Sequence, residues 1–317
     1  MASAVEIDNL SHSYPAQRRG GSERQALAGL SVSVNRGEIF GLLGPNGGGK
    51  TTLFRILSTS LAPLGEGRAA VFGHDVVRES ATVRGLIGVV FQNPSLDGKL
   101  TVLENLRAHA SLYGLSASEA APRIDAALAK LGLSNRRDDF VEKLSGGLQR
   151  RGEIAKSLIH KPELLLMDEP STGLDPGARR DLWDALRQLK ESGMTIMLTT
   201  HLMEEGERCD RVAIVNLGRV VAAGAPSELK KRIGGDVVWI QTAEAADLAA
   251  KLRARFHVDA TALDDRIRIE IQDGHKFIPQ LVEAFPGSIE AVSVGKPTLE
   301  DVFVHETGRR FSKEGGS

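Results

Sequence analysis

The chain has 317 residues, of which 41% are hydrophobic and 26% charged, and a net charge of -1. That length fits two domains better than one, and the balanced charge excludes both a basic field for nucleic acid and an acidic tail for a cationic partner. The lone cysteine, Cys209, excludes an internal disulfide and suits a reducing cytosol.

The opening MASAVEIDNL shows no basic stretch followed by an apolar one, so no signal peptide is expected. The first buried strand is expected at GEIFGLLG (37–44), running into a turn, with a helix at 50–59. LIGVVFQ (86–92), ELLLMDEP (163–170) and MTIMLTTH (194–201) have the same character. Continuous apolar runs of this kind suit strands covered on both faces. Helical patterns fall at 101–113, 118–131, 147–159 and 177–191, and the alternation implies an α/β domain with a mostly parallel sheet. No strand is expected over 93–145, which reads as a helical subdomain inserted at about 93–160. The longest apolar runs fall far short of the roughly 18–20 residues of a spanning helix. Work at a membrane would then need another chain to cross it.

IGGDVV (233–238) reads as a boundary. Beyond it come a strand (237–241), a helix (245–256), two strands (260–263 and 266–272), a helix (275–285), a strand (289–294) and a last helix (298–307). This β-α-β-β-α-β order predicts a small α+β, ferredoxin-like domain over 234–309, with a disordered polar tail at 310–317. Leu299, Val302 and Phe303 give the last helix an apolar face, expected to pack on the small domain.

Ligands of such sheets gather beyond the carboxyl ends of the strands, and the motifs cluster there. GPNGGGKTT (44–52) follows a predicted strand and fits a P-loop. Its glycines let Gly44, Pro45, Asn46, Gly47, Gly48 and Gly49 turn their backbone toward phosphates. Lys50 would reach the β- and γ-phosphates, Thr51 would ligate Mg²⁺, and Thr52 continues the helix start. In LLLMDEP (164–170), Asp168 fits the acidic residue that supports Mg²⁺. Glu169, facing the other way on an extended chain, is the candidate to orient and deprotonate water. LSGGLQRRGEI (144–154) looks like a second phosphate cradle, at Ser145, Gly146 and Gly147, but it has no lysine.

The P-loop, Gln92, LSGG, the acidic pair, STGLDP (171–176) and His201, in this order, resemble the nucleotide-binding domain of an ABC transporter over about residues 3–233. The resemblance implies a P-loop NTPase fold with a mixed, mostly parallel sheet and an inserted helical subdomain. It also implies ATP and Mg²⁺ as cofactors, with ATP hydrolysed. It explains the second cradle: two such domains pack head to tail, so Ser145, Gly146 and Gly147 would serve nucleotide bound mainly by another chain, with Asp175 at the interface. Tyr14 would stack on adenine, Gln92 would touch Mg²⁺ or the attacking water, and His201 would hold Glu169 and the γ-phosphate. The segment after Gln92 and the helical subdomain would receive a permease. The other seven histidines read as surface or loop residues.

Three positions depart from the commonest pattern: Gly48 for Ala or Ser, expected to loosen the loop; Gly152 inside the signature helix, costing about 1 kcal/mol relative to Ala; and Lys156 for Arg. PTLEDVFVHETGR (297–309) resembles the closing segment of ATP-binding subunits of ABC-2-type exporters of the daunorubicin-resistance and nodulation groups. That implies a peripheral subunit at the cytoplasmic face of the membrane, a second ATP-binding subunit (a homodimer) and a separate transmembrane permease. It implies no nucleic-acid partner and no membrane contact except through the permease. The alternative, a soluble ABC ATPase of DNA repair or translation, would show coiled coils or tandem cassettes, and neither is visible. In 237–309 no paired carboxylates, Cys/His cluster or glycine-rich loop marks a ligand site, so the small domain is expected to brace or dimerise.

Overall fold

The computed structural model describes residues 3–15, 23–309 and 311. At its centre is a six-stranded sheet. From edge to edge the strands are Arg219–Gly224, Arg211–Asn216, Ile39–Leu43, Thr195–Thr200, Leu164–Asp168 and Ile87–Val90. All neighbours run parallel except the first pair. Strand alternation sorts the apolar runs onto two faces. Phe40, Leu42, Leu164 and Leu166 join one core, while Ile39, Leu43, Leu165 and Met167 join the other.

The first core is closed by a four-stranded antiparallel sheet in the order Arg24–Asn35, Ser3–Tyr14, Arg68–Val71, His74–Asp75. Val5, Leu10 and Leu27 from it share that core with Leu53, Ile56 and Leu57 of the helix Lys50–Leu57. This sheet was not expected, because no strand pattern stood out before residue 37. The cause lies in the pairing of its two long strands. Register shifts interrupt it between Ser3 and Val5, between Ile7 and Leu10, and at His12, so the period-2 alternation is broken.

The second core is closed by the helices Val102–Leu112, Ala117–Lys130, Gly146–Ser157 and Pro176–Glu191, within two residues of the expected spans. Capping boxes set two starts, Thr101 with Glu104 and Ser116 with Glu119. Between residues 93 and 145 the only strand-like pairing among the described residues is one bridge, Thr101 to Phe140.

The C-terminal strands Asp236–Gln241, Ala260–Leu263, Arg266–Ile271 and Ala291–Gly295 form an antiparallel sheet. Its fourth strand lies beside the first, the first beside the third, and the third beside the second, which is the expected ferredoxin-like arrangement. Helices Ala245–Phe256 and Gly274–Ala284 cover one face through Leu248, Leu252, Phe277 and Leu281.

The last helix, Leu299–Thr307, departs from expectation. Its apolar face joins the second core of the larger sheet, with Leu299, Val302 and Phe303 buried beside Leu229 and Ile233. Burying each such side chain contributes about 1.5–3 kcal/mol. Its polar side meets the small sheet instead. Asp301 accepts from Trp239 Nε1 at 3.2 Å and lies 3.5 Å from Arg268 Nε. The helix therefore straps the C-terminal sheet to the nucleotide-binding half. Phe311 adds an edge-on ring contact to Phe303, at 5.1 Å. The rest of the expected disordered tail, 310 and 312–317, lies outside the described residues. Among the described residues, no helix is long and apolar enough to cross a membrane.

Candidate functional site

The loop 44–49 joins the end of the strand Ile39–Leu43 to the helix starting at Lys50, between the two sheets. Gly49 stands at the N-cap with φ 105°, a left-handed conformation that only glycine adopts at little cost. A Cβ there would sit 2.5 Å from the Ala26 carbonyl oxygen. No side chain caps this helix, so its first N–H groups stay open to a ligand. Gly48 is hydrogen-bonded through both backbone groups: its N–H donates to Pro45 O at 3.2 Å and its carbonyl accepts from Gly218 N at 3.0 Å.

Lys50 is buried and its Nζ donates to Gly44 O at 2.8 Å and Pro45 O at 3.0 Å. Burial pulls its pKa below the ordinary lysine value, against the opposing pull of Glu169 and Asp168. Asp168 ends the strand Leu164–Asp168, buried, with Oδ1 accepting from the Thr199 hydroxyl. Burial raises its pKa, moderated by that hydroxyl.

Glu169 does not continue the strand as expected. Its φ is 45°, a left-handed turn that costs a non-glycine residue about 1–2 kcal/mol. The turn is held by its own N–H, which donates to Thr199 O at 3.1 Å and to Thr199 Oγ1 at 3.0 Å. It swings the carboxylate back over the loop. Oε1 lies 3.8 Å from Lys50 Nζ, and Oε2 lies 3.0 Å from His201 Nδ1 and accepts from the Thr172 hydroxyl at 3.1 Å.

A polar cavity of about 340 Å³ opens here, lined by Asn46, Gly47, Gly49, Lys50, Thr51, Thr52, Gln92 and Glu169. That volume is within the range of small-molecule sites. Tyr14 adjoins it, its hydroxyl 3.3 Å from Thr52 Oγ1. Gly44, Pro45 and Gly48 form the loop beneath. The cavity is also lined by Arg24 and Ala26, which the sequence did not flag. They arrive only through the unforeseen antiparallel sheet, so no local signal could have found them.

Within one chain, Ser145, Gly146, Gly147 and Asp175 do not line this cavity. Ser145 caps the helix Gly146–Ser157, its Oγ accepting from Leu148 N at 3.4 Å, and is exposed together with Gly146. Gly147 is buried against Ala178. Asp175 caps the helix Pro176–Glu191, accepting from Gly177 N and Ala178 N at 2.9 Å each.

Some histidines outside the motifs are not surface residues, contrary to expectation. His12 is buried, and its Nδ1 accepts from Leu64 N at 2.9 Å. His160 stacks on Tyr113 at 3.9 Å with His109 beside them, because the helix Val102–Leu112 folds back over the end of the helix Gly146–Ser157.

Comparison with known proteins places these features. Residues 27–172 match the ABC transporter family model, and residues 224–307 match the C-terminal domain of DrrA1-3-like ATP-binding proteins. The chain is 42% identical to the daunorubicin resistance ATP-binding protein DrrA3 of Streptomyces coeruleorubidus, covering 92% of this chain and 94% of that one. It is 38% identical to the Nod factor export ATP-binding protein I of Paraburkholderia xenovorans, covering 97% and 98%. Among solved structures it resembles the dimeric, post-hydrolysis ATP-binding cassette MJ0796 bound to ADP and Pi. That match has a TM-score of 0.61 and 26% identity, over 70% of this chain and 98% of that one.

Proposed function

This chain belongs to the family of ABC transporter ATP-binding proteins, an ATP-hydrolysing exporter subunit, and on that premise we propose how its residues divide the work. Residues 1–233 form the ATPase domain and 234–309 an accessory domain that braces it. The backbone N–H groups of Gly47, Gly49, Lys50, Thr51 and Thr52 and the Lys50 ammonium hold the ATP phosphates, with Gly44, Pro45, Asn46 and Gly48 shaping the loop, and Tyr14 stacks on the adenine. The hard-oxygen donors Thr51, Asp168 and Gln92 suit Mg²⁺, and the buried Asp168 carboxylate, raised in pKa by burial, would gain a further positive partner. When bound, Mg²⁺ neutralises charge developing on the phosphates.

Glu169 orients the attacking water and accepts its proton, with His201 and Thr172 fixing the carboxylate. Lys50 draws it inward. The observation that carries this reading is the left-handed turn at Glu169, which sets one carboxylate between Lys50 and His201 at the cavity mouth. Ser145, Gly146, Gly147 and Asp175 complete the site of a second copy, packed head to tail. The exposure of Ser145 and Gly146 supports this, as does their absence from their own chain's cavity. A separate ABC-2-type permease binds the dimer and holds it at the cytoplasmic face of the membrane. The names of the relatives, in drug resistance and Nod factor export, support this finer assignment over DNA repair or translation.

The test is phosphate release by the purified chain with ATP and Mg²⁺. Glu169→Gln is expected to lower turnover by about 10²- to 10⁴-fold while ATP still binds. Unchanged turnover would remove Glu169 from the role of base.

A further inference from the structure

The helix that begins at Ser145 buries a pair of charges. Arg150 and Glu153 are 7% and 3% exposed, one turn apart, and meet at 2.7 Å. A buried ion pair adds less stability than apolar packing of equal volume; what it can add is a specified geometry. Here the geometry is directed at the segment that carries Gln92. Arg150 donates to Phe91 O at 2.7 Å and to Gln92 O at 3.0 Å. Glu153 Oε1 accepts from Ser95 N at 2.6 Å, and Lys156 Nζ donates to Ser95 O at 2.9 Å. Residues 150, 153 and 156 follow an i, i+3, i+6 row, so one helix face makes all these bonds. Gly152 admits Leu96 to the same helix: a Cβ there would sit 3.0 Å from Leu96 Cδ1. This close approach supplies a reason for a glycine that otherwise weakens the helix.

We propose that Arg150, Glu153 and Lys156 are positioning residues that lock the 91–95 segment to the signature helix, so that nucleotide engaged by Ser145 in the partner's site is registered at this chain's own Gln92. The inference rests on the proposed head-to-tail reading. Arg150 stands about 7.5 Å along the helix from Ser145 at 1.5 Å per residue. A helix is stiff over that distance. A displacement at its exposed start therefore moves the Phe91 and Gln92 carbonyls, and with them the side chain that faces the cavity. The two nucleotide sites of a dimer become coupled through three side chains, none of which touches nucleotide.

The experiment measures ATP-dependent phosphate release by the full chain across ATP concentration, alongside melting temperature and binding of a fluorescent methylanthraniloyl-ATP. The variants are Arg150→Lys, which keeps the charge but loses the planar fork whose two nitrogens reach the Phe91 and Gln92 carbonyls, Glu153→Gln, Lys156→Met and Lys156→Arg. For the first three variants the expected result is a Hill coefficient that falls from near 2 toward 1 and a kcat about fivefold or more lower, a coupling loss of ordinary size. Analogue affinity should stay near wild type in all of them, and melting temperature should stay near wild type in the Lys156 variants but fall in Glu153→Gln, which leaves Arg150 buried without its counter-charge. Lys156→Arg should regain the cooperativity that Lys156→Met loses. Cooperative turnover in all four variants would overturn the clamp. So would a loss of analogue affinity in step with turnover, which marks a merely structural role. A wild-type chain that turns over with a Hill coefficient of 1 would instead remove the head-to-tail reading on which the clamp depends.

Discussion

Two helices of this chain open on glycine-rich loops, and they start in opposite ways. Lys50–Leu57 begins at a left-handed Gly49 with no side-chain cap, over a cavity and a buried lysine. Gly146–Ser157 begins at an extended Ser145 whose hydroxyl already accepts one of the helix N–H groups. An uncapped start offers its donors to a ligand, whereas a capped one has committed a donor to its own chain. The first loop is thus a receptor complete in itself. The second has no lysine and does not line the cavity of the first, and on the proposed reading it works as a lid for another copy.

The comparison can be broken by stability measurements. Gly49→Ala forces a Cβ onto the Ala26 carbonyl and a non-glycine residue into φ 105°. It should cost about 1–3 kcal/mol or more in urea unfolding. Ser145→Ala removes only a cap and should cost about 1 kcal/mol. Equal costs would mean that the two starts are not built differently after all.

A smaller effect sharpens the contrast on the lid side. Burial holds His109, with Lys156 and His160 as further repelling charges and Tyr113 against its ring, at a pKa of about 4 instead of 6.5. The folded chain therefore keeps His109 neutral while the unfolded chain takes up a proton. The stability it contributes is present above pH 6.5 and is lost as pH falls from 6.5 toward 4. The melting temperature of the wild type should fall over that interval, and His109→Gln should flatten the slope. An identical pH profile in the variant would show that this histidine does not tune the lid-side helices.

Much of the site was legible because its chemistry is local in sequence. The P-loop follows the buried five-residue strand Ile39–Leu43, and Asp168 and Glu169 follow the four buried apolar residues 164–167; such runs can be read directly. What escaped depended on tertiary approach. The turn at Glu169 is made by Thr199 on a neighbouring strand, and Arg24 reaches the cavity from a strand pair whose bulges erase its alternation. The clamp on Gln92 joins residues 58 or more positions apart. The last helix presented a readable apolar face, but the face alone could not say which of two sheets it would cover.

The most direct test of the receptor and the lid is the size of the Glu169→Gln chain in solution with ATP and Mg²⁺, measured by light scattering. An ATP-dependent shift from one chain of 34.0 kDa to two is expected. A further Ser145→Arg should abolish the shift yet leave ATP bound to the monomer within about threefold of its original affinity, whereas Lys50→Ala should lose both binding and shift. If Ser145→Arg weakened ATP binding to the single chain as severely as Lys50→Ala, the second cradle would belong to its own chain's site, and the division between receptor and lid would be wrong.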